Sequence, residues 1–503
     1  MEQVAEKYNI NADDVIVEVR ILKDPGRNPK YELVKQKISN PTLALLDEVK
    51  NKLIEKINLS SEEILDPKVA LKLKDRFKEM AFGLLRGYIE NLSEQTQKHL
   101  IGTLLHETIG LGDIEFLLSD VYLEEIVVSS SQEPIRVYHK KYGWLETNIL
   151  IKNEEQILNY SNSIARRVGR QITTLNPLLD AHLLTGDRVN AVLYPIATKG
   201  HTITMRKFST DPLTVTDLVN AGISSTHIFA LMWLALEYEM NMLVSGGTAS
   251  GKTTFLNVCM PFIPTNHRII SIEDTRELYL PKYLYWTPLV TRQPNPEGEG
   301  EITMLDLLVN ALRMRPDRII LGEVRRKEEA EILFEAMHTG HSVYATVHAD
   351  SSNETIKRLV NPPIGIPQNL LEQVHLNVVM FRDRRRGVRR TYQISEFISV
   401  GEEGGSIKPN IIYRWNPTTD KIIEHMPSVR LFEQLSRFTG LSKSEIDKDL
   451  VLREEILEWM IKKNIRKVQD VGKVTRAYYL DKEFLLQLVN KNSDPGSLLD
   501  KND

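Results

Sequence analysis

Residues 246–254, Gly-Gly-Thr-Ala-Ser-Gly-Lys-Thr-Thr, combine the residue types that can hold a polyphosphate. They match the pattern G-x-x-x-x-G-K-[ST] and follow a short apolar segment. Backbone N–H groups converge on phosphates only where no Cβ intervenes, so the pattern needs glycine at two places. The lysine then reaches the β- and γ-phosphates, and the Ser/Thr hydroxyl ligates Mg²⁺. The sequence therefore predicts a site for ATP with Mg²⁺, built from Gly246, Gly247, Thr248, Ala249, Ser250, Gly251, Lys252, Thr253 and Thr254, with Thr253 as a metal ligand.

Two carboxylates are predicted to lie near this loop, each at the end of an apolar strand. Glu323 follows the segment 319–321, and ligands of open α/β sheets bind at the carboxyl ends of the strands. We therefore expect Glu323 to hold the metal or its water, against the alternative of an ordinary surface residue. Glu273 ends the segment 268–273 and is the candidate for orienting the attacking water, provided that its strand neighbours the strand before the loop. The alternative for Glu273 is a helix cap.

Two histidines, His341 and His348, bracket another apolar segment and lie seven residues apart. An odd separation along a strand places two side chains on opposite faces, so these histidines cannot share one metal ion. His348 follows the strand end, from which it could donate a hydrogen bond toward the γ-phosphate. A purely structural role explains either histidine equally well.

Phosphate-binding loops hydrolyse slowly until an arginine neutralises charge on the γ-phosphate. Six arginines are candidates, and the residues alone do not choose among Arg188, Arg206, Arg292, Arg313, Arg315 and Arg325. A separate basic run at 382–390 predicts a hairpin tip around Gly387. That tip is either a solvated turn or a contact for anionic lipid or a partner protein.

The elements that must position these residues alternate between helices and strands over 215–381. Strands are predicted at 242–244, 268–272, 318–321 and 342–346, and helices at 227–238, 252–260, 303–314 and 328–339. Short apolar strands between helices predict a parallel sheet that is covered on both faces. Residues 382–503 are predicted to form a C-terminal extension of strands followed by helices.

The region before this domain divides into three predicted parts and a linker. Residues 1–38 hold two strands, 15–22 and 30–34, around a Pro/Gly turn, which predicts an N-terminal hairpin. Residues 39–111 show helical periodicity, and 112–208 combine strands with one amphipathic helix in a compact α/β domain. Residues 209–214 are the predicted linker.

The composition is that of a globular protein with 42% hydrophobic and 26% charged residues. A net charge of −4 argues against a surface dominated by nucleic-acid binding, so no nucleic-acid partner is expected. The single cysteine, Cys259, excludes an internal disulfide and fits a reducing cytoplasm. No signal peptide is evident at the N-terminus, and the longest apolar run, 228–236, is too short to span a bilayer. These features predict a cytoplasmic protein with at most peripheral membrane association.

Four motifs in this order resemble the signatures of the type II/type IV secretion ATPase superfamily. They are the loop at 246–254, Ile-Ile-Ser-Ile-Glu-Asp-Thr-Arg-Glu-Leu at 269–278, Arg-Pro-Asp-Arg-Ile-Ile-Leu-Gly-Glu-Val-Arg at 315–325 and Thr-Gly-His-Ser-Val-Tyr-Ala-Thr-Val-His-Ala at 339–349. They correspond to the Walker A, aspartate-box, Walker B and histidine-box motifs. Members of this superfamily power type II secretion, type IV pilus movement and the archaeal swimming filament (archaellum), and the extra N-terminal region is most similar to archaeal members.

The resemblance implies an α/β fold with a RecA-like P-loop NTPase domain after a smaller, PAS-like N-terminal domain. It implies a homo-hexameric ring that binds ATP between the two domains and acts on an integral membrane platform protein. The segments 184–188 and 204–208 then correspond to N-domain arginine motifs, which favours Arg188 and Arg206 as the charge-neutralising residues. The family also supports Glu273 as acid–base residue, Glu323 for the metal, and His341 and His348 in the histidine box.

Two departures and two rival functions accompany the resemblance. The four-cysteine zinc module of many bacterial members cannot exist with one cysteine, and Thr185-Gly186 replaces a commoner Asp-Gly pair. A RecA-like hexameric DNA or RNA translocase is the alternative motor, although no aromatic and basic stripe for single strands is evident. A nucleotide-gated scaffold without turnover is the second alternative, which the two placed carboxylates disfavour.

Overall fold

A computed structural model describes residues 3–26, 28–56, 67–89, 92–183, 185–208, 212–294, 298–401 and 406–500. The chain divides into two compact units, Met1–Ser209 and Thr210–Asp503, which are described separately. The first residues of the predicted linker, 209–211, lie outside the described residues, as do Ile57 and Asn91 in the predicted helical region and Leu184 in the first arginine motif.

The first unit is built on a nine-stranded sheet in the order β1-β2-β3-β6-β5-β4-β9-β8-β7. Neighbouring strands are antiparallel, except that β3 pairs with β6 in parallel. The strands are β1 Gln3–Ala12, β2 Val15–Lys23, β3 Lys30–Val34, β4 Leu123–Val128, β5 Arg136–His139, β6 Gly143–Thr147, β7 Leu178–His182, β8 Arg188–Val192 and β9 Thr202–Arg206.

The predicted hairpin of β2 and β3 is confirmed, but it is not a separate N-terminal part as the boundary at residue 38 implied. A further strand, β1, precedes it through a turn at Asp13 and Asp14, both with positive φ. The parallel pairing of β3 with β6 joins these strands to the later α/β domain. The hydroxyls of Tyr8 and Tyr31 each donate to the buried carboxylate of Asp120 at 2.8 Å. Burial of apolar strand faces on one continuous core explains the merger.

Among the described residues of this unit, five helices accompany the sheet. They are α1 Asn40–Lys56, α2 Pro67–Tyr88, α3 Glu94–Thr108, α4 Ile114–Ser119 and α5 Glu154–Arg167. The first three form a small core of their own, in which Leu46, Leu53, Phe77 and Leu104 are buried. The helical periodicity predicted for this region is thus confirmed at Leu46, Val49 and Leu53, whereas Leu43 is exposed. The N-caps Ser93 and Asn153 accept hydrogen bonds from the first turns of α3 and α5.

The second unit also carries a nine-stranded sheet, in the order β12-β11-β13-β14-β10-β15-β16-β17-β18. The strands from β12 to β15 in this order are parallel, and the last three are antiparallel. Their bounds are β10 Met242–Gly246, β11 Arg268–Glu273, β12 Tyr285–Val290, β13 Arg318–Leu321, β14 Ser342–Val347, β15 Leu376–Asp383, β16 Val388–Val400, β17 Ser406–Asn416 and β18 Lys421–Glu424.

Helices cover both faces of the parallel strands, as predicted. Alternate residues of one strand enter different cores: Val244 packs in one cluster and Leu243 in the other. Cys259 is fully buried, as expected of a small apolar residue. The helices are α6 Val215–Asn220, α7 Thr226–Glu237, α8 Lys252–Cys259, α9 Met304–Leu312, α10 Lys327–His338, α11 Ser352–Val360, α12 Leu431–Thr439, α13 Lys443–Lys462, α14 Val468–Leu480, α15 Lys482–Asn490 and α16 Gly496–Leu499, with 3₁₀ turns at Met260–Phe262 and Gln368–Gln373.

The predicted boundary between an ATPase core and a C-terminal extension at 381/382 falls inside β15 and is corrected by the structure. Strands β16, β17 and β18 extend the same sheet, and α13 packs on α7 of the core. Arg453 of α13 is buried and bonds Glu237 of α7 at 2.5 Å. The C-terminal region is therefore part of the P-loop unit. No helix in the described part of the chain is long and apolar enough to cross a membrane.

Candidate functional site

The loop predicted to hold phosphate leaves the fully buried strand β10 and leads directly into α8. Gly246 and Gly251 adopt φ of +149° and +96°. A Cβ on Gly246 would lie 2.4 Å from Ser250 Oγ and 2.5 Å from the carbonyl oxygen of Met380. Only glycine fits this position, because a side chain there would clash with both neighbours.

Lys252 lies at the first turn of α8 and closes the loop on itself. Its Nζ donates to the carbonyl oxygens of Gly246 at 3.0 Å and of Gly247 at 3.1 Å. Ser250 Oγ also donates to the Gly247 carbonyl, at 2.9 Å. These bonds fix the loop around a cradle at the positive end of a helix, which is the arrangement that binds phosphate groups.

The charges of three carboxylates act on the Lys252 ammonium. Burial lowers the pKa of Lys252, whereas the charges of Glu323, Glu277 and Asp350 act in the opposite direction. A Cβ on Gly247 would lie 2.6 Å from Asp350 Oδ1, so this acid is adjacent to the loop. The sequence-based reasoning did not select Glu277 or Asp350. The signal available in the sequence was their position, because Glu277 lies four residues after Glu273 and Asp350 lies two residues after His348.

The carboxyl ends of β10, β11, β13 and β14 meet at one edge of the sheet, because these strands are parallel and in register. The edge brings together the phosphate loop, Glu273, Glu323 and His348. Glu323 Oε2 is held by Arg325 at 2.7 Å, and the same guanidinium bonds Asp274 at 2.6 Å. Arg325, one of six arginine candidates, thus bridges the two acidic motifs.

The prediction that Glu273 lies on a strand beside β10 is wrong. Strands β13 and β14 separate β11 from β10, since β10 pairs with β14 and β15. Strand order depends on long-range pairing, which adjacency in sequence does not reveal. Glu273 nevertheless remains at the same edge and close to the Walker B motif: a Cβ on Gly322 would lie 3.6 Å from Glu273 Cγ.

The Glu273 carboxyl is buried, with 2% of the residue exposed. Its Oε1 accepts the N–H groups of Glu277 at 2.8 Å and Leu278 at 3.0 Å, whereas its buried Oε2 has no partner among the described residues. Burial raises the pKa of Glu273 to about 7, with a further contribution from the charge of Glu277. A carboxyl that titrates near neutrality is suited to accept a proton from water.

The two histidines lie at opposite ends of β14. His348 follows Val347 at the phosphate-loop edge, and it lines an open cavity of about 360 Å³ with Asp350 and Glu354. His341 precedes Ser342 at the other edge, about 20 Å away for a six-residue strand. The structure therefore places only His348 beside the loop of its own unit.

Arg188 and Arg206 belong to the first unit, where they are direct cross-strand neighbours on β8 and β9. Arg188 makes a two-pronged ion pair with Asp180, with Nε–Oδ1 at 3.0 Å and Nη2–Oδ2 at 2.6 Å. Arg206 is paired in register with Glu125 of β4. The two predicted arginines thus form one exposed basic pair, which is consistent with a shared role.

The cradle fits Mg·ATP as substrate. Within the described residues no group of three or more His, Cys, Asp or Glu side chains could hold a metal ion by itself. Mg²⁺ in nucleotide sites is typically held by one or two protein oxygens together with the substrate phosphates. Thr253 on α8 and Glu323 after β13 are at the correct edge to supply such oxygens.

A family model described as type II/IV secretion system protein matches residues 114–390. An uncharacterised protein of Methanocaldococcus jannaschii is 36% identical over 414 residues, which cover 81% of this chain and 74% of that protein. Type IV secretion system protein VirB11 of Bartonella henselae is 29% identical over 50% of this chain and 80% of its own length. The X-ray structure of the Yersinia pseudotuberculosis ATPase DotB aligns over 77% of this chain and 95% of its own, at 19% identity and a TM-score of 0.42. With its matched region spanning both units, this chain belongs to the type II/IV secretion system protein family.

Proposed function

We propose that this chain is a Mg²⁺-dependent ATPase that powers protein secretion or the assembly of a pilus-like or archaellum filament. The observation that carries the proposal is the meeting of the phosphate loop, Glu323 and the protonatable Glu273 at one sheet edge. Membership of the secretion family supports the proposal that the free energy of hydrolysis drives secretion or filament assembly.

Each residue has a proposed role in hydrolysis. Residues 246–254 bind the phosphates through backbone N–H groups, and Lys252 leaves its two loop carbonyls to contact the β- and γ-phosphates. Thr253 and Glu323 hold Mg²⁺ of the substrate. Glu273 orients the attacking water and accepts its proton, for which its unpaired Oε2 is available.

Other residues act on the charge that develops at the γ-phosphate. We assign this role to Arg188 and Arg206, which the family resemblance favours and which are cross-strand neighbours on β8 and β9. His348, next to the loop edge, donates a hydrogen bond toward the γ-phosphate. His341 lies at the remote edge, so its proposed role in the histidine box requires contact outside its own phosphate site.

The proposed working form is a homo-hexamer in the cytoplasm that associates peripherally with the membrane. There it acts on an integral membrane platform protein, and the exposed arginines of the basic run 382–390, Arg384, Arg385 and Arg386, contact an anionic lipid surface. Hydrolysis in such a ring would turn a change at the phosphate loop into movement of the platform protein. This part of the proposal is supported by family membership rather than by site geometry.

The test is steady-state phosphate release with Mg·ATP by the wild-type chain and by Lys252→Ala. We expect measurable turnover in the wild type and at least a hundredfold loss in Lys252→Ala, since the lysine contacts the transferred group. Lys327→Ala, an exposed lysine at the start of α10, is the matched control. Equal rates in wild type and Lys252→Ala would refute the assignment, and stimulation by single-stranded DNA instead of anionic vesicles would favour a nucleic-acid translocase.

A further inference from the structure

One arginine of the basic hairpin contacts the phosphate loop. Strand β15 runs beside β10, with Gly246 opposite Met380, and the chain then turns back as β16. Arg389 on β16 pairs in register with Arg382. The return strand thereby delivers a side chain from the hairpin to the loop, 140 residues away in sequence.

The contact of Arg389 is specific. Its Nε donates to the carbonyl oxygen of Ala249 at 3.0 Å, and its Cδ lies 3.7 Å from the position that a Cβ on Gly251 would take. Ala249 has φ of +58°, a conformation that non-glycine residues rarely adopt. The hydrogen bond to its carbonyl oxygen therefore stabilises the loop at a residue whose backbone conformation is unfavourable.

Only one of the five N–H groups of Arg389 is used in this contact. Among the residues described in the structure, none accepts a hydrogen bond from its two terminal nitrogens. The next residue, Arg390, differs: it is buried and bonds both oxygens of Asp420 at 2.7 Å. Neighbouring residues of a strand point to opposite faces of the sheet. Arg390 therefore bonds Asp420 on one face, whereas Arg389 contacts the phosphate loop on the other.

We propose that Arg389 is a further nucleotide-binding residue that contacts the phosphate chain while it braces Ala249. A guanidinium offers paired donors that match phosphate oxygens. A second cation at the loop would offset the negative charges of Glu323, Glu277 and Asp350, which act on Lys252. This inference rests on the proposed nucleotide site, and it adds a ligand from outside the four motifs.

The test is calorimetric binding of ADP and of inorganic tripolyphosphate, each with Mg²⁺, to the full chain. Arg389→Ala is expected to weaken both by about tenfold or more, as for loss of a charge-assisted hydrogen bond. Arg437→Ala, which removes an exposed charge from α12, is the control and is expected to change neither. Arg389→Lys keeps the charge but loses the paired planar donors, so it is expected to weaken both probes less than Arg389→Ala does.

Each contrary result has one meaning. Unchanged affinity in Arg389→Ala, with tight binding by wild type, overturns the inference but leaves the proposed function intact. Arg389→Lys as weak as Arg389→Ala shows a brace without phosphate contact and also overturns it. Loss of ADP affinity without loss of tripolyphosphate affinity assigns the contact to the nucleoside and refutes the phosphate role. Failure of the wild type to bind either probe refutes the proposed function itself.

Discussion

Replacement of Glu273 by Gln should stabilise the P-loop unit at alkaline pH while it abolishes hydrolysis. The carboxyl is buried and has an unpaired oxygen, so its ionised form is disfavoured in the folded chain. Its pKa rises from 4.5 to about 7. Because the pKa of this acid is higher in the folded state than in the unfolded state, the folded state loses stability as the pH rises above the unfolded-state pKa. The loss of stability is complete above about pH 7.

The magnitude follows from the same pKa values. A rise from 4.5 to about 7 corresponds to about 3 kcal/mol at pH 8, and to less than about 1 kcal/mol at pH 5. Glutamine stays neutral and retains an acceptor oxygen for the N–H groups of Glu277 and Leu278. The difference in free energy of unfolding between Glu273→Gln and wild type should therefore be about 2–3 kcal/mol more favourable to the variant at pH 8 than at pH 5.

Urea unfolding followed by tryptophan fluorescence at both pH values measures this difference. Four of the five tryptophans, Trp233, Trp286, Trp415 and Trp459, lie in the second unit, so the signal reports mainly on that unit. Glu335→Gln, an exposed substitution on α10, is the control and should show no such pH dependence. Parallel pH profiles for wild type and Glu273→Gln would contradict the buried, protonatable carboxyl. Retained phosphate release in Glu273→Gln would contradict its role as base.

Two further outcomes follow from the loop and from the arginine pair. Gly246→Ala should abolish measurable ADP binding, because its Cβ would meet Ser250 Oγ and the Met380 carbonyl oxygen. Gly340 also has a positive φ, of +93°, but a Cβ there would meet no atom within 4 Å, so calorimetry should show normal ADP binding by Gly340→Ala. Arg188→Ala and Arg206→Ala should each lower kcat for ATP by about tenfold or more and leave ADP affinity within about twofold, since the residues act on charge that develops during hydrolysis. Unchanged kcat in both variants would remove the assignment.

The sequence was sufficient to predict the elements whose local signals agree. The strands β10, β13 and β14 are short apolar runs between helices, and all their residues are buried. The glycine-rich loop predicted the start of α8 at Lys252, because the motif itself fixes where the helix begins. The predicted helix starts at 227 and 303 likewise lie within one residue of the observed starts at Thr226 and Met304.

The pairing between strands that lie far apart in the chain could not be predicted from the sequence. Strand β1 alternates weakly and has mostly exposed side chains, so its pattern does not differ from that of a loop. The order β11-β13-β14-β10 depends on contacts between segments up to a hundred residues apart, which is why the predicted neighbour of the phosphate strand was wrong. The bond from Arg389 to Ala249 depends on the same pairing, and nothing local to either residue indicates it.

The charges at the sheet edge also support the proposal that Mg·ATP rather than free ATP is the substrate. The negative charges of Glu323, Glu277 and Asp350 act on Lys252, and they would also act against an uncompensated polyphosphate at the loop. In the structure Arg325 balances two acids by bonding Glu323 and Asp274 together. A divalent cation at Glu323 would compete with this guanidinium, since both cannot use Oε2 fully. Arg325 would then keep Asp274, and binding of Mg·ATP would loosen the bond between the aspartate-box and Walker B motifs. Under the proposed function, binding of Mg·ATP would thereby be coupled to a rearrangement of the two acidic segments, as a motor requires.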